Sequence, residues 1–134
     1  VKLHKHEVDT ATTNINNGLC ATAPELTLIT PWGRNISGYT AIITRSIQWQ
    51  CVYQWIIVYD LHSQPVATPQ FGNNSKVLEI FHNAPASRYG NLQRQEALRH
   101  VSSGMVYFLD DENAMHEGFW KWFASIATLG HLHI

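Results

Sequence analysis

The chain has 134 residues, 45% of them hydrophobic and 11% aromatic, which excludes a mostly disordered polypeptide and fits one domain with a buried core. Nine Lys and Arg against ten Asp and Glu leave a formal net charge of −1, so a basic nucleic-acid module is not expected. No run reaches the roughly 18 apolar residues of a membrane-spanning helix. Cys20 and Cys51 form no CxxC pair of the kind a thiolate zinc site uses. They could form one disulfide, but their spacing does not place them within bonding distance, and free thiols are the favoured expectation.

Residues 1–24 are polar, weakly patterned and without an apolar signal core, and read as a tail or loop. His4 and His6 share one face of any strand there, but a lone pair of this kind is more often incidental than a metal site. Leu26–Thr30 is a short apolar run stopped by Pro31, the first expected strand. Ile36–Trp49 carries Ile36, Tyr39, Ile43 and Ile47 at helical spacing, with Asn35 or Ser37 as a cap. Trp55–Asp60, the second strand, is almost all apolar, as a strand covered on both faces should be. A loop over Leu61–Ser75, a third strand over Lys76–His82 and a second loop over Asn83–Gly90 follow. Asn91–Val101 is rich in helix formers, with Leu92, Ala97, Leu98 and Val101 on one face and Gly104 as its stop. Met105–Leu109 is the fourth strand. His116–Ala127 is an aromatic-rich last helix, and Leu129–Ile134 has the composition to start another strand.

Strands buried on both faces and alternating with helices predict an α/β fold with an open, mostly parallel, Rossmann-like sheet. Right-handed crossovers favour the strand order 3-2-1-4. Ligands of such sheets bind at the carboxyl ends of the strands. Thr30 and Pro31, then Asp60, then Asp110, Asp111 and Glu112 all fall at those ends. The three adjacent carboxylates have two readings: a solvated cap for the next helix, or ligands to a divalent cation, for which oxygen donors suit Mg2+ or Mn2+. Asp60 is either a nucleobase or ribose acceptor or a loop cap. Arg94, just past Gly90, either forks onto a phosphate or lies solvated on its helix, whereas Arg99 reads as solvated. There is no GxGxxG, P-loop or GxSxG pattern.

Thr30-Pro31, WIIVYD over Trp55–Asp60 and GNLQRQEALRHVSSGMVYFLDDEN over Gly90–Asn113 together resemble the GT-A fold nucleotide-sugar glycosyltransferases, most closely the β-1,3-glucuronyltransferase type. All blocks occur in that family's order between Leu28 and Trp120, and the last is the most specific. The resemblance implies that Thr30, Pro31 and Asp60 line a nucleobase pocket and that Arg94 contacts the nucleotide. It implies that Asp110 and Asp111 hold the uridine and ribose side, with Asp111 and Glu112 toward Mn2+ or Mg2+ on the diphosphate of a UDP-sugar. Glu112 and Gln95 stand where the family has Asp and Asn.

The resemblance therefore implies a metal-dependent transferase acting on a hydroxyl acceptor, in the Golgi or secretory lumen. Residues 25–134 match only its nucleotide-binding half, so the acceptor half and catalytic base are expected from elsewhere, and no catalytic residue is assigned. The alternative expectation is a catalytically incomplete or relic domain that binds nucleotide or a protein partner. A complementing segment or an oligomer through Phe119, Trp120, Trp122 and Phe123 is also open.

Overall fold

The described residues hold four strands and three α-helices in the order β1 (Leu26–Trp32), α1 (Ser37–Ser46), β2 (Gln54–Asp60), β3 (Val77–His82), α2 (Asn91–Leu98), β4 (Met105–Phe108) and α3 (Glu117–Leu129). This computed structural model describes residues 19–21, 23–33, 37–61, 69–82, 90–102 and 104–129. His4, His6 and the stretch after Leu129 lie outside the described residues. The strands form one sheet in the order β3-β2-β1-β4 with every pairing parallel, the open Rossmann-like α/β arrangement expected from the apolar runs. No helix among the described residues is long and apolar enough to cross a membrane.

Strand alternation sorts the core into two clusters. Leu26, Leu28, Trp32, Trp55, Ile57 and Tyr59 face α1 and α3, meeting Ile43 of the one, Ile47 just past its end, and Trp120, Phe123 and Ile126 of the other. Ile29, Ile56 and Val58 face α2 and its Ala97. The β1-to-β2 crossover thus covers one face and the β3-to-β4 crossover the other. Strand addition reverses direction between them, so both crossovers have the same hand. Trp120 and Phe123 belong to the core, which corrects the four-aromatic oligomer surface. Trp122 is 54% exposed and Phe119 sits beside it at a ring separation of 5.7 Å.

β1 runs through Pro31 instead of stopping before it. The Ile29 carbonyl accepts the Leu109 N–H, so Ile29 turns its backbone toward β4. Two residues on, the Pro31 nitrogen faces the same side. β4 pairing ends at Ile29 opposite Phe108, while β2 pairing continues through Pro31 opposite Val58 and Trp32 opposite Tyr59. The missing N–H of Pro31 therefore falls where β1 has no partner on that side, and the strand loses nothing.

Two helices end earlier than expected. The Ser46 hydroxyl donates to the Ile43 carbonyl at 2.6 Å and accepts the Met115 N–H at 2.9 Å, while its carbonyl takes the Trp120 indole N–H at 2.9 Å. The last turn of α1 is thereby given over to holding α3, and Trp49–Cys51 forms a separate 3-10 turn. α2 stops at Leu98 because the N–H groups of Arg99, His100 and Val101 bond three residues back, a tightened 3-10 pattern. That turn leaves Leu98 exposed.

The cysteines are not free thiols. Cys20 and Cys51 form a disulfide, with their Cα atoms 5.1 Å apart. The 3-10 turn carries Cys51 to the core beside the entry to β2. Leu19, Cys20 and Ala23 fold onto the same cluster. This proximity is tertiary, which is why spacing did not reveal it. The bond closes a loop across a separation of 31 residues. Its removal in the Cys20→Ser, Cys51→Ser double variant is expected to cost about 2–4 kcal/mol of stability, read from urea denaturation.

Candidate ligand site at the carboxyl edge of the sheet

Parallel strands put all their carboxyl ends on one edge, and the switch from β1-to-β2 to β1-to-β4 pairing opens a crevice there. A cavity of about 320 Å³ occupies it, lined by Pro31, Trp32, Gly33, Asp60, Gly90, Gln93, Arg94, Asp110, Asp111 and Glu112. Its volume lies at the small end of the range for small-molecule sites, roughly 300–1,000 Å³. The end of β1, the end of β2, the first turns of α2 and the turn after β4 each contribute.

Of the residues singled out from sequence, Pro31, Asp60, Arg94, Asp110, Asp111 and Glu112 are brought together on this cavity. Thr30 is not among its lining residues. Its side chain is on the α1 and α3 face of β1, fully buried, where its hydroxyl accepts the Trp55 indole N–H at 2.8 Å. Trp32, Gly33, Gly90 and Gln93 complete the wall without having been singled out as ligand-site residues. Gln93 carried a readable signal: it lies four residues before Ala97 on the buried face of α2, a polar residue where an apolar one is expected.

The acidic turn divides its labour. The Asp110 carbonyl accepts the Asn113 N–H at 3.1 Å, closing a four-residue turn. The Asp110 carboxylate meets the Arg94 guanidinium at 3.1 Å, and Arg94 also makes a long 3.4 Å contact with Asn91. Asp111, only 8% exposed, accepts the Gly33 N–H on Oδ2 at 3.0 Å, joining the chain after β1 to the chain after β4. Glu112 stands exposed at the rim. These carboxylates do not cap the last helix, because α3 begins at Glu117 and the Gly118 N–H donates to His116 Nδ1 at 2.9 Å. Arg99 is solvated as expected, within 3.6 Å of Glu96. Among the described residues no group of three or more His, Cys, Asp or Glu is arranged to hold a metal ion.

Asp60 follows a strand end that is braced from behind. Tyr59 donates its hydroxyl to Glu79 at 2.6 Å, and Glu79 also accepts the Gln70 and Phe71 N–H groups. Burial, and then that hydrogen bond, push the Tyr59 phenol well above its ordinary range, so it remains a neutral donor. α2 opens on Gly90, whose φ of +77° is left-handed. A Cβ there would lie 2.8 Å from Pro31 Cβ, so only glycine lets the first turn of α2 approach β1 this closely.

Comparison with known protein families, curated proteins and solved structures gave no match.

Thr30→Val is expected to cost about 1–3 kcal/mol, because it strands the buried Trp55 N–H, and to leave the cavity lining in place. Urea denaturation reads the loss. Gly90→Ala is expected to lower stability by about 1–3 kcal/mol through its strained φ, seen as a drop in Tm, with the start of α2 displaced from Pro31.

Proposed function

We propose that this chain is the nucleotide-binding half of a GT-A-type glycosyltransferase. It holds a UDP-sugar with a divalent cation and serves transfer of the sugar to an acceptor hydroxyl. The observation that carries this reading is the convergence of Pro31, Asp60, Arg94 and Asp110–Glu112, drawn from four separate stretches of chain, on one cavity at the carboxyl edge. The sequence blocks that resemble the family are the same stretches that line that cavity.

The chemistry of the wall supports it. An ionised Asp60 is acceptor-only and suits the N–H of a pyrimidine base or a ribose hydroxyl. Arg94 offers a fork of donors to a phosphate. Four carboxylates face one guanidinium among the described lining residues, so a diphosphate alone meets net repulsion. Asp111 and Glu112 supply hard oxygen donors of the kind Mn2+ and Mg2+ accept, and such ions are commonly held by one or two carboxylates together with substrate phosphates. A cation held there would neutralise charge on the departing diphosphate. Asp110 is committed to Arg94 and orients it. The Cys20–Cys51 disulfide accords with an oxidising secretory lumen.

A second reading is favoured by a specific observation. Glu117, the only acidic residue after Glu112, is 67% exposed, sits 3.9 Å from Lys121 and is not part of the cavity wall. Glu117 is thereby not placed to take the acceptor proton in this cavity. A domain that binds nucleotide without turnover, or that works with a complementing segment or second copy, fits this equally well.

Titration calorimetry of UDP with and without Mn2+ tests the reading. Binding that requires the metal, weakened at least about tenfold by Glu112→Ala, is the expected result. No heat and no thermal shift at millimolar UDP overturns it. Hydrolysis of a UDP-sugar that is lost in Glu112→Ala would exclude the incomplete-domain reading.

A further inference from the structure

Phe108 is an apolar residue with no place in the core. It ends β4 on the α2 face of the sheet, opposite Ile29, yet it is 46% exposed and packs in neither core cluster. An exposed aromatic at the end of an edge strand is a liability unless something covers it. Arg94 lies over part of it, its guanidinium carbon 5.8 Å from the ring centroid. That is within the reach of about 6 Å over which a guanidinium is attracted to an aromatic face.

Two further contacts of Arg94 form a bracket with the ring. Its Nη2 meets Asp110 Oδ1 at 3.1 Å and its Nη1 makes the long contact with Asn91 at 3.4 Å. Phe108 and Asp110 are two residues apart at the end of β4. Arg94 and Asn91 are three apart on α2, one turn from each other. A long side chain is thus restrained by an anion at one nitrogen and a ring beneath. The ring costs the guanidinium no donor, whereas each further carboxylate would occupy one.

We infer that Phe108 is a positioning residue: its ring holds the Arg94 guanidinium in place at the cavity wall, ready for a phosphate group. The phosphate rests on the reading proposed above. A flexible arginine loses rotamer freedom when it closes on an anion. One already held over a ring loses less, and the ring adds no charge that competes with the ligand.

Two measurements test this, and only one depends on the ligand. The first is 15N relaxation of the Arg94 Nε–H group in the ligand-free protein. Phe108→Leu keeps an apolar side chain of similar bulk but has no aromatic face, and Phe108→Tyr keeps the face. Arg94 is expected to be ordered in the parent and in Phe108→Tyr, and to become mobile in Phe108→Leu. Equal order in all three overturns the inference. The second is calorimetry with UDP and Mn2+ beside uridine, which has no phosphate. Phe108→Leu is expected to weaken UDP about two- to fivefold and to leave uridine unchanged, with Phe108→Tyr matching the parent. Equal weakening of both ligands, or of neither, overturns the link to phosphate. A parent protein that binds no UDP at all defeats the functional reading and, with it, the phosphate link, while the relaxation result still decides whether the ring holds Arg94.

Discussion

β1 is paired on one side for longer than on the other. Toward β2 its register runs to Trp32 opposite Tyr59, and toward β4 it stops at Ile29 opposite Phe108. Its last three residues therefore have a strand on one flank only. Pro31 is tolerated because its missing donor points into this gap. The chain leaving β4 turns there instead of pairing, and the Asp111 carboxylate takes the Gly33 N–H on the side that a longer β4 would have occupied. The crevice at the carboxyl edge is the remainder of this mismatch, and each residue that lines it is placed by the end of β1, β2 or β4 or by the start of α2.

Three adjacent carboxylates on a turn would repel one another if they shared one environment. They do not. Asp111 is turned inward to a backbone donor, Asp110 is turned sideways to Arg94, and Glu112 is left at the rim. The turn spends one acid on fastening β1 to β4 and one on orienting a cation from α2. The third stands exposed at the rim. An acidic run that looks uniform in the sequence thus occupies three environments set by direction.

The strands, their order and the edge that gathers the polar residues were legible because a parallel sheet covered on both faces demands continuous apolar runs, and Trp55–Asp60 is one; Met105–Leu109 reads the same way, although β4 is an edge strand that leaves Tyr107 and Phe108 exposed. What escaped was whatever depends on a partner far along the chain. Pro31 reads as a stop unless the length of β4 is known. Thr30 looks like a pocket residue beside Pro31, yet alternation turns it to the opposite face and Trp55 claims its hydroxyl. Cys20 and Cys51 are unremarkable until a 3-10 turn brings them together. Ser46 looks like an ordinary helix residue, and only α3 makes it an end. Trp32 and Gly33 follow a proline that hid the last turn of the strand, so their place on the wall was hidden with it.

All four strands point the same way, so the sheet has two unlike poles. At the amino pole Cys51 is bonded to Cys20, and Gly104 approaches the Glu25 backbone so closely that a Cβ would collide with it. At the carboxyl pole the chain makes turns around polar side chains. The covalent link thus sits at the amino pole, a sheet length from the polar crevice at the carboxyl pole. Reducing the disulfide would release the chain at the pole opposite the crevice, while the Asp111–Gly33 hydrogen bond and the close approach of Gly90 to Pro31 still tie β1 to the turn after β4 and to α2.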